Sequence, residues 1–300
     1  MDNIVRRIVL NPKRYLAKLS LKIPFCLSDK QYLKAIFMYR FGYSLDLDNP
    51  RTFCEKLQWL KLYDRKQEYT KMVDKFEVKK YVANKIGEEY IIPTLGVWNT
   101  PWDIDWDTLP NQFVLKTTHG GGGNGVIICK DKMQLNKESV CKALSESLNC
   151  DLYKSFREWP YKNVSKRIIA ELFLENPSGE LNDYKFFCFN GLVKFFKIDF
   201  NRFIEHHANY YLPNGQLLPF GEKGLEPDFE HVETMPDNLS EMIKIAERLS
   251  NGCKFVRVDL YDVKGKIYFG ELTFYPAAGL GEFVPEEWNE KIGDFINITN

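Results

Sequence analysis

Three hundred residues, 44% hydrophobic and 15% aromatic, are enough to bury one large core or two modest ones. Forty-one basic and 41 acidic residues cancel, so no overall field draws the chain to nucleic acid. Seven cysteines form no Cys-x-x-Cys pair, no secretory signal is evident, and no apolar run nears the roughly 18 residues that span a bilayer, so the chain reads as a reduced cytosolic protein of enzyme size. In chain order, the first 25 residues hold Arg6, Arg7, Lys13, Arg14, Lys18 and Lys22 against one acid, Asp2, with apolar residues interspersed at helical spacing. Asn11 is placed to cap a helix that Pro12 opens. This basic amphipathic segment suits a packed helix with a solvated face, or one making peripheral contact with the inner face of a membrane. After Asn49-Pro50, Phe53, Leu57, Leu60 and Tyr63 mark one face of a helix; Val78, Tyr81, Val82 and Ile86 mark another, ended by Gly87. The loop 101–107 looks like a surface connection.

Gln112-Phe113-Val114-Leu115-Lys116 reads as a strand ending in lysine. Thr117-Thr118-His119 then lead into Gly120, Gly121, Gly122 and Gly123, and Val126–Cys129 forms a second strand. The tip of this hairpin has no side chains to obstruct its backbone. Its amides can bind phosphate oxygens, with Lys116 as the point charge below them. It is neither a Walker loop nor a Rossmann turn, since no Gly-Lys-Ser/Thr opens a helix and the glycine spacing differs.

Arg167–Leu174 is an apolar strand carrying one acid, Glu171. Asp183–Phe189, Asn190-Gly191 and Leu192–Lys197 form a strand, turn and strand, the Asn-Gly being a strong hairpin signal. Asp183 and Lys185 share a face of the first strand, as part of a ribose and phosphate site or as a plain surface ion pair. Arg202, His206 and His207 follow. Adjacent histidines in an extended segment point oppositely, so zinc is not expected, while Arg202 or His206 can grip an anionic acceptor. Near the C-terminus, Phe255–Tyr261 and Ile267–Thr273 flank a glycine turn and place Arg257, Asp259 and Glu271 among residues that favour burial. Carboxylates there need a cationic partner or a cation to hold, so the hairpin is either a structural ion network or a magnesium site facing nucleotide phosphates. The turn Tyr275-Pro276-Ala277-Ala278-Gly279 follows directly.

Taken in this order, the lysine strand, glycine flap, acidic strand, Arg-x-Asp and Glu-x-Thr resemble an ATP-grasp enzyme. More narrowly, Thr52–Leu60, Val73-Asp74-Lys75, Tyr90–Pro93, Arg167–Glu171 and Asp183–Gly191 resemble the TupA-like ATP-grasp family of surface-polysaccharide gene clusters. The resemblance implies an α+β fold: a helical region over 1–70, then an ATP-grasp domain over 71–300, with a flap subdomain at about 112–165 and a metal-hairpin subdomain at about 166–300. It also implies ATP held by Lys116, the flap glycines, Asp183 and Lys185, with the purine at Glu171, Leu172 and Phe173. Mg2+ would sit on Asp259, Glu271 and Thr273, the last in place of the usual asparagine, with Arg257 at the transferring phosphoryl group and Ala278 and Gly279 near the acceptor. The implied reaction is ATP-dependent joining of a carboxylate acceptor, such as a uronic acid or acidic peptide of a bacterial surface or capsular polymer, to an amine donor through an acyl phosphate. A sugar kinase on the same fold is one alternative. A glycosyltransferase is another, for which Asp46-Leu47-Asp48, Asp103-Ile104-Asp105 and Asp105-Trp106-Asp107 supply formal Asp-x-Asp motifs.

Overall fold

Capping chemistry decides where the first helices begin. The computed structural model describes residues 11–121, 125–175, 183–200, 205–231 and 233–298. Asn11 caps α1 (Pro12–Ser20), its side chain accepting from the amide of Arg14, with Pro12 in the first turn as expected. Ser28 with Gln31, and Thr52 with Glu55, form capping boxes that open α2 (Asp29–Phe41) and α3 (Phe53–Tyr63). After α4 (Glu68–Val73), α5 (Glu77–Ile86) ends at Gly87, whose φ of 122° few other residues adopt. Phe53, Leu57 and Leu60 are buried as the periodicity predicts, whereas Tyr63 at the last turn of α3 is exposed.

Strands β1 (Thr94–Trp98), β2 (Phe113–Thr117), β3 (Val126–Cys129) and β4 (Ile168–Leu172) form an antiparallel sheet in the order β1-β4-β2-β3. Helix α6 (Lys137–Asn149) backs this sheet with Val140 and Leu144, and α7 (Leu152–Phe156) follows it. The loop 101–107 is more than a surface connection. Ile104 is buried in the same cluster as Phe113 and Leu115, while Trp102 stays exposed.

The second antiparallel sheet contains β5 (Asp183–Phe189), β6 (Leu192–Phe200), β7 (His207–Tyr211), β9 (Phe255–Val263) and β10 (Lys266–Thr273), ordered β10-β9-β5-β6-β7. Two-residue turns close its hairpins: Asn190-Gly191 at φ 51° and 81°, and Lys264-Gly265 at φ 54° and 80°. Both residues of such a turn need positive φ, which is why Asn-Gly announced the first hairpin in the sequence. A short pair, β8 (Gly221–Glu222) with β11 (Phe283–Val284), and helices α8 (Leu239–Ser250) and α9 (Trp288–Gly293) complete the fold.

Aromatic side chains from this second sheet fill much of its core. Phe186, Phe187, Phe189, Phe195, Phe196 and Phe220 are all buried there, each contributing about 1.5–3 kcal/mol against exposure. Leu57 and Leu60 of α3, Val78 and Val82 of α5, and Met242, Ile245 and Leu249 of α8 belong to the same core cluster, whereas the four-stranded sheet has a cluster of its own. The architecture is α+β, as the resemblance implies: helices beside two separate antiparallel sheets.

Candidate functional site

On the four-stranded sheet, Glu171 of β4 lies opposite Val114 of β2, one strand period from Lys116. The two side chains therefore share a face, and Lys116 Nζ stands 2.7 Å from Glu171 Oε2. Helix α5 brings Lys79 Nζ to the other carboxylate oxygen at 2.6 Å. Burial works against the Glu171 carboxylate, but Lys116 and Lys79 outweigh it and hold its pKa below the ordinary range; burial in turn lowers that of Lys79, against the pull of Glu171. Lys75, just before α5, donates its amide to Thr118 O (2.9 Å) and its ammonium to Glu271 Oε2 (3.0 Å). One residue thus ties the segment that leads into the flap to the second sheet.

On the five-stranded sheet, a bulge between Phe269 and Glu271 sets Glu271 opposite Asp259 and Thr273 opposite Arg257. Gly270 occupies the bulge, where an added Cβ would lie 3.0 Å from Asp259 O and 3.1 Å from the Tyr261 ring. Arg257 donates to both oxygens of Asp259 at 2.7 and 2.6 Å, to Glu271 Oε1 at 3.2 Å and to the Thr273 hydroxyl at 3.1 Å. That hydroxyl in turn donates to Glu271 at 3.1 Å. Burial raises the Asp259 carboxyl to about 6 against the pull of Arg257, whereas Lys75 and Arg257 overcome burial at Glu271 and keep it well below the usual carboxylate range.

Lys185 pairs with Asp259 in the β5–β9 register and bonds to Asp183 and, at 2.5 Å, to Asp199. All three are buried, so Asp183 and Lys185 are not a surface ion pair. His206 joins the group, its Nε2 3.1 Å from Asp199 Oδ1. The structure therefore gathers Lys185, Asp183, Arg257, Asp259, Glu271 and Thr273 on one sheet, with His206 just before β7 against Asp199, and Lys116 and Glu171 on the other. Leu172 is exposed and Phe173 half-buried at the end of β4, while Gly120 is buried and Gly121 half-buried at the foot of the flap. Gly122, Gly123 and Arg202 lie outside the described residues.

In the turn after β10, Ala277, Ala278 and Gly279 are all left-handed, at φ 47°, 55° and 63°. For alanine that conformation costs about 1–2 kcal/mol per residue and needs outside support. Helix α3 supplies it. Gln58 Nε2 donates to Gly279 O (2.7 Å) and Ala278 O (3.3 Å), and the fully buried Lys61 donates to Ala278 O (2.8 Å) and Phe156 O (2.9 Å).

Sequence reasoning assigned no role to Lys75, Lys79, Asp199, Gln58 or Lys61. No sequence period flags Lys75 and Lys79, since Lys75 lies in the turn before α5 and Lys79 within the helix. The Asp-x-Asp motifs serve as local ties instead. Asp46 accepts from the amides of Asp48 and Asn49, Asp103 from the Thr100 hydroxyl, and Asp105 from the amide of Asp107.

A sequence profile of the TupA-like ATPgrasp family matches residues 55–297. The chain belongs to the TupA-like ATP-grasp family. No curated protein sequence matches it significantly. Among solved structures it is similar to a D-alanine–D-alanine ligase from Bacillus anthracis (TM-score 0.39, 15% identity, 68% of this chain and 57% of that one). It is also similar to the Helicobacter pylori D-alanine–D-alanine ligase (0.42, 17%, 81% and 68%) and to phosphoribosylamine–glycine ligase from Thermotoga maritima (0.43, 14%, 69% and 48%). The chain thus spans little more than half of the first of these ligases.

For an ATP-grasp chain the donor chemistry fits magnesium. Asp259 and Glu271 offer carboxylate oxygens from paired strands, with the Thr273 hydroxyl beside them, all hard donors suited to a small dication. Each carboxylate also has a basic partner: Arg257 bonds to Asp259 and Glu271, and Lys75 bonds to Glu271.

Proposed function

We propose that this protein is an ATP-dependent carboxylate–amine ligase that works through an acyl phosphate and modifies a bacterial surface or capsular polysaccharide, or its precursor. The observation that carries this reading is the meeting of two charged sets. Three lysines (75, 79 and 116) stand at the four-stranded sheet, and Lys75 reaches the Arg257–Asp259–Glu271 set at 3.0 Å.

In this reading Lys116 exchanges Glu171 for the triphosphate, beneath the amides of the glycine flap, and the end of β4 receives the purine. Lys185, held by Asp183 and Asp199, presents a fixed positive charge to the phosphates, and Arg257 turns from Asp259 towards the phosphoryl group in transfer. Asp259, Glu271 and Thr273 would hold magnesium, which would supply charge neutralisation for the phosphates. The acceptor carboxylate attacks the γ-phosphorus and releases ADP. The amine then attacks the acyl carbon, phosphate leaves, and the amine proton passes to the departing phosphate or to solvent. The turn at Ala278 and Gly279, pinned by Gln58 and Lys61, stands next to the metal strand and suits contact with the acceptor.

Thermal unfolding with Mg·ATP, with UDP-sugars and without ligand tests this reading first. A ligand at about a hundred times its Kd adds about 2.7 kcal/mol, so ATP should raise the Tm clearly. Supplying acidic glycans and amines should then release ADP together with free phosphate. ADP with a phosphosugar would make the enzyme a kinase, and stabilisation by a UDP-sugar with ATP silent would make it a glycosyltransferase.

A further inference from the structure

Helix α1 packs against α2 through one side only. Ala17 is buried there, and Arg14 is fixed by bonds to Tyr39 O (2.7 Å) and Arg40 O (3.2 Å). Leu16 and Leu19, three residues apart on α1, share a face turned away from Ala17, and Ile23 follows in the turn after the helix. They are 63%, 41% and 48% exposed, and Phe25 in the next turn is 84% exposed. Isolated exposed apolar residues are ordinary, but four large ones on one short segment are not.

The exposed charges on residues 12–25 are all of one sign. Lys18 and Lys22, four residues apart, run along one flank, Lys13 lies on the other, and all three are exposed. From residue 3 to residue 28 the sequence has no acid. An apolar stripe between rows of cations is complementary to a surface that is apolar below and anionic above. Among the described residues no helix is long and apolar enough to cross a membrane. Its turn is also fixed to the protein body, since Arg157 donates to Pro24 O at 2.7 Å.

We propose that Leu16, Leu19, Ile23 and Phe25, with Lys13, Lys18 and Lys22, form a docking surface for anionic phospholipid. The surface holds the enzyme on a membrane with its apolar side chains in the headgroup layer. The inference rests on the exposure and charge of this face and not on the ligase reading.

Cosedimentation with vesicles of phosphatidylcholine alone, or with roughly one third phosphatidylglycerol added, tests it. The wild-type chain should sediment with the anionic vesicles only, less so as salt rises. Leu16→Glu with Phe25→Glu should abolish binding. Lys18→Glu with Lys22→Glu should weaken it on the order of thirtyfold or more, each near-surface cation being worth about fivefold. Since all four side chains are exposed, both variants should keep the wild-type Tm and its response to ATP. The proposal is overturned if the wild type ignores anionic vesicles or if the variants bind them equally. It is overturned too if light scattering shows a wild-type dimer that the variants dissociate, for the face then joins two copies. Vesicle binding without any ATP response would sink the ligase reading and leave this one standing.

Discussion

Arg257 places donors on both oxygens of Asp259 and also reaches Glu271 and Thr273, so its removal strips a buried carboxylate of its countercharge. Breaking a buried pair from one side costs about 3–5 kcal/mol, and Arg257→Met should lose that much in urea denaturation at neutral pH. Arg257→Lys keeps the charge without the two-pronged geometry. It should lose clearly less stability, yet release ADP at least about a hundredfold more slowly if the guanidinium serves the phosphoryl transfer. Glu271→Gln separates the roles further. Its side chain is over a third exposed, so stability should fall less than in Arg257→Met while magnesium-dependent ADP release collapses. Unchanged turnover in that variant would remove Glu271 from the metal site.

At the scale of elements, the flap hairpin is held to α6 by Gly125. With φ 76° and a would-be Cβ only 2.0 Å from Ser147 Oγ and 2.7 Å from Ser147 Cβ, the position has no room for a side chain. Gly125→Ala should cost more than about 1 kcal/mol and weaken ATP binding by shifting the flap, as calorimetry would show. Helix α3 meets the turn after β10 through Lys61, whose charge is coupled to that of buried Glu158. Burial pushes the Glu158 carboxyl up to about 7, with Lys61 opposing, and pushes Lys61 down to about 8, with Glu158 opposing. Between the unfolded value of 4.5 and about 7 the folded chain holds the extra proton, so the contribution of Glu158 to stability falls as pH rises. Between about 8 and 10.5 the unfolded chain holds the extra proton on Lys61, so stability rises with pH there. Subtracting the denaturation profile of a Glu158→Gln/Lys61→Met variant from that of the wild type should show both limbs, and a flat difference would mean the pair stays ionised throughout.

At the scale of the molecule, Lys75 joins the two sheets through Glu271, and basic groups occupy the carboxylates that magnesium would need. Metal and nucleotide should therefore bind together. Magnesium alone should leave the Tm unchanged, Mg·ATP should raise it, and Lys75→Met should remove most of that rise. A strong response to magnesium alone would show that the carboxylates are free without phosphate.

The sequence by itself determined whatever is decided within a few residues. Asn11, Thr52 and Gly87 mark helix ends because capping is local hydrogen bonding and backbone freedom. Asn190-Gly191 marks a hairpin because positive φ is a local demand, and Arg257 shares a face with Asp259, as Glu271 does with Thr273, because strands alternate; the bulge at Gly270 that puts the two pairs together is a matter of register between strands. Only the tertiary structure decided which charges meet across elements. Lys79 and Lys116 converge on Glu171, Lys75 crosses to Glu271, and Asp199 closes the ring around Lys185, over separations that no sequence period encodes. Lys61 makes the same point: in the sequence it is one more lysine on an amphipathic helix, and it becomes a buried brace because the turn at Ala278 folds onto α3 from more than 200 residues away.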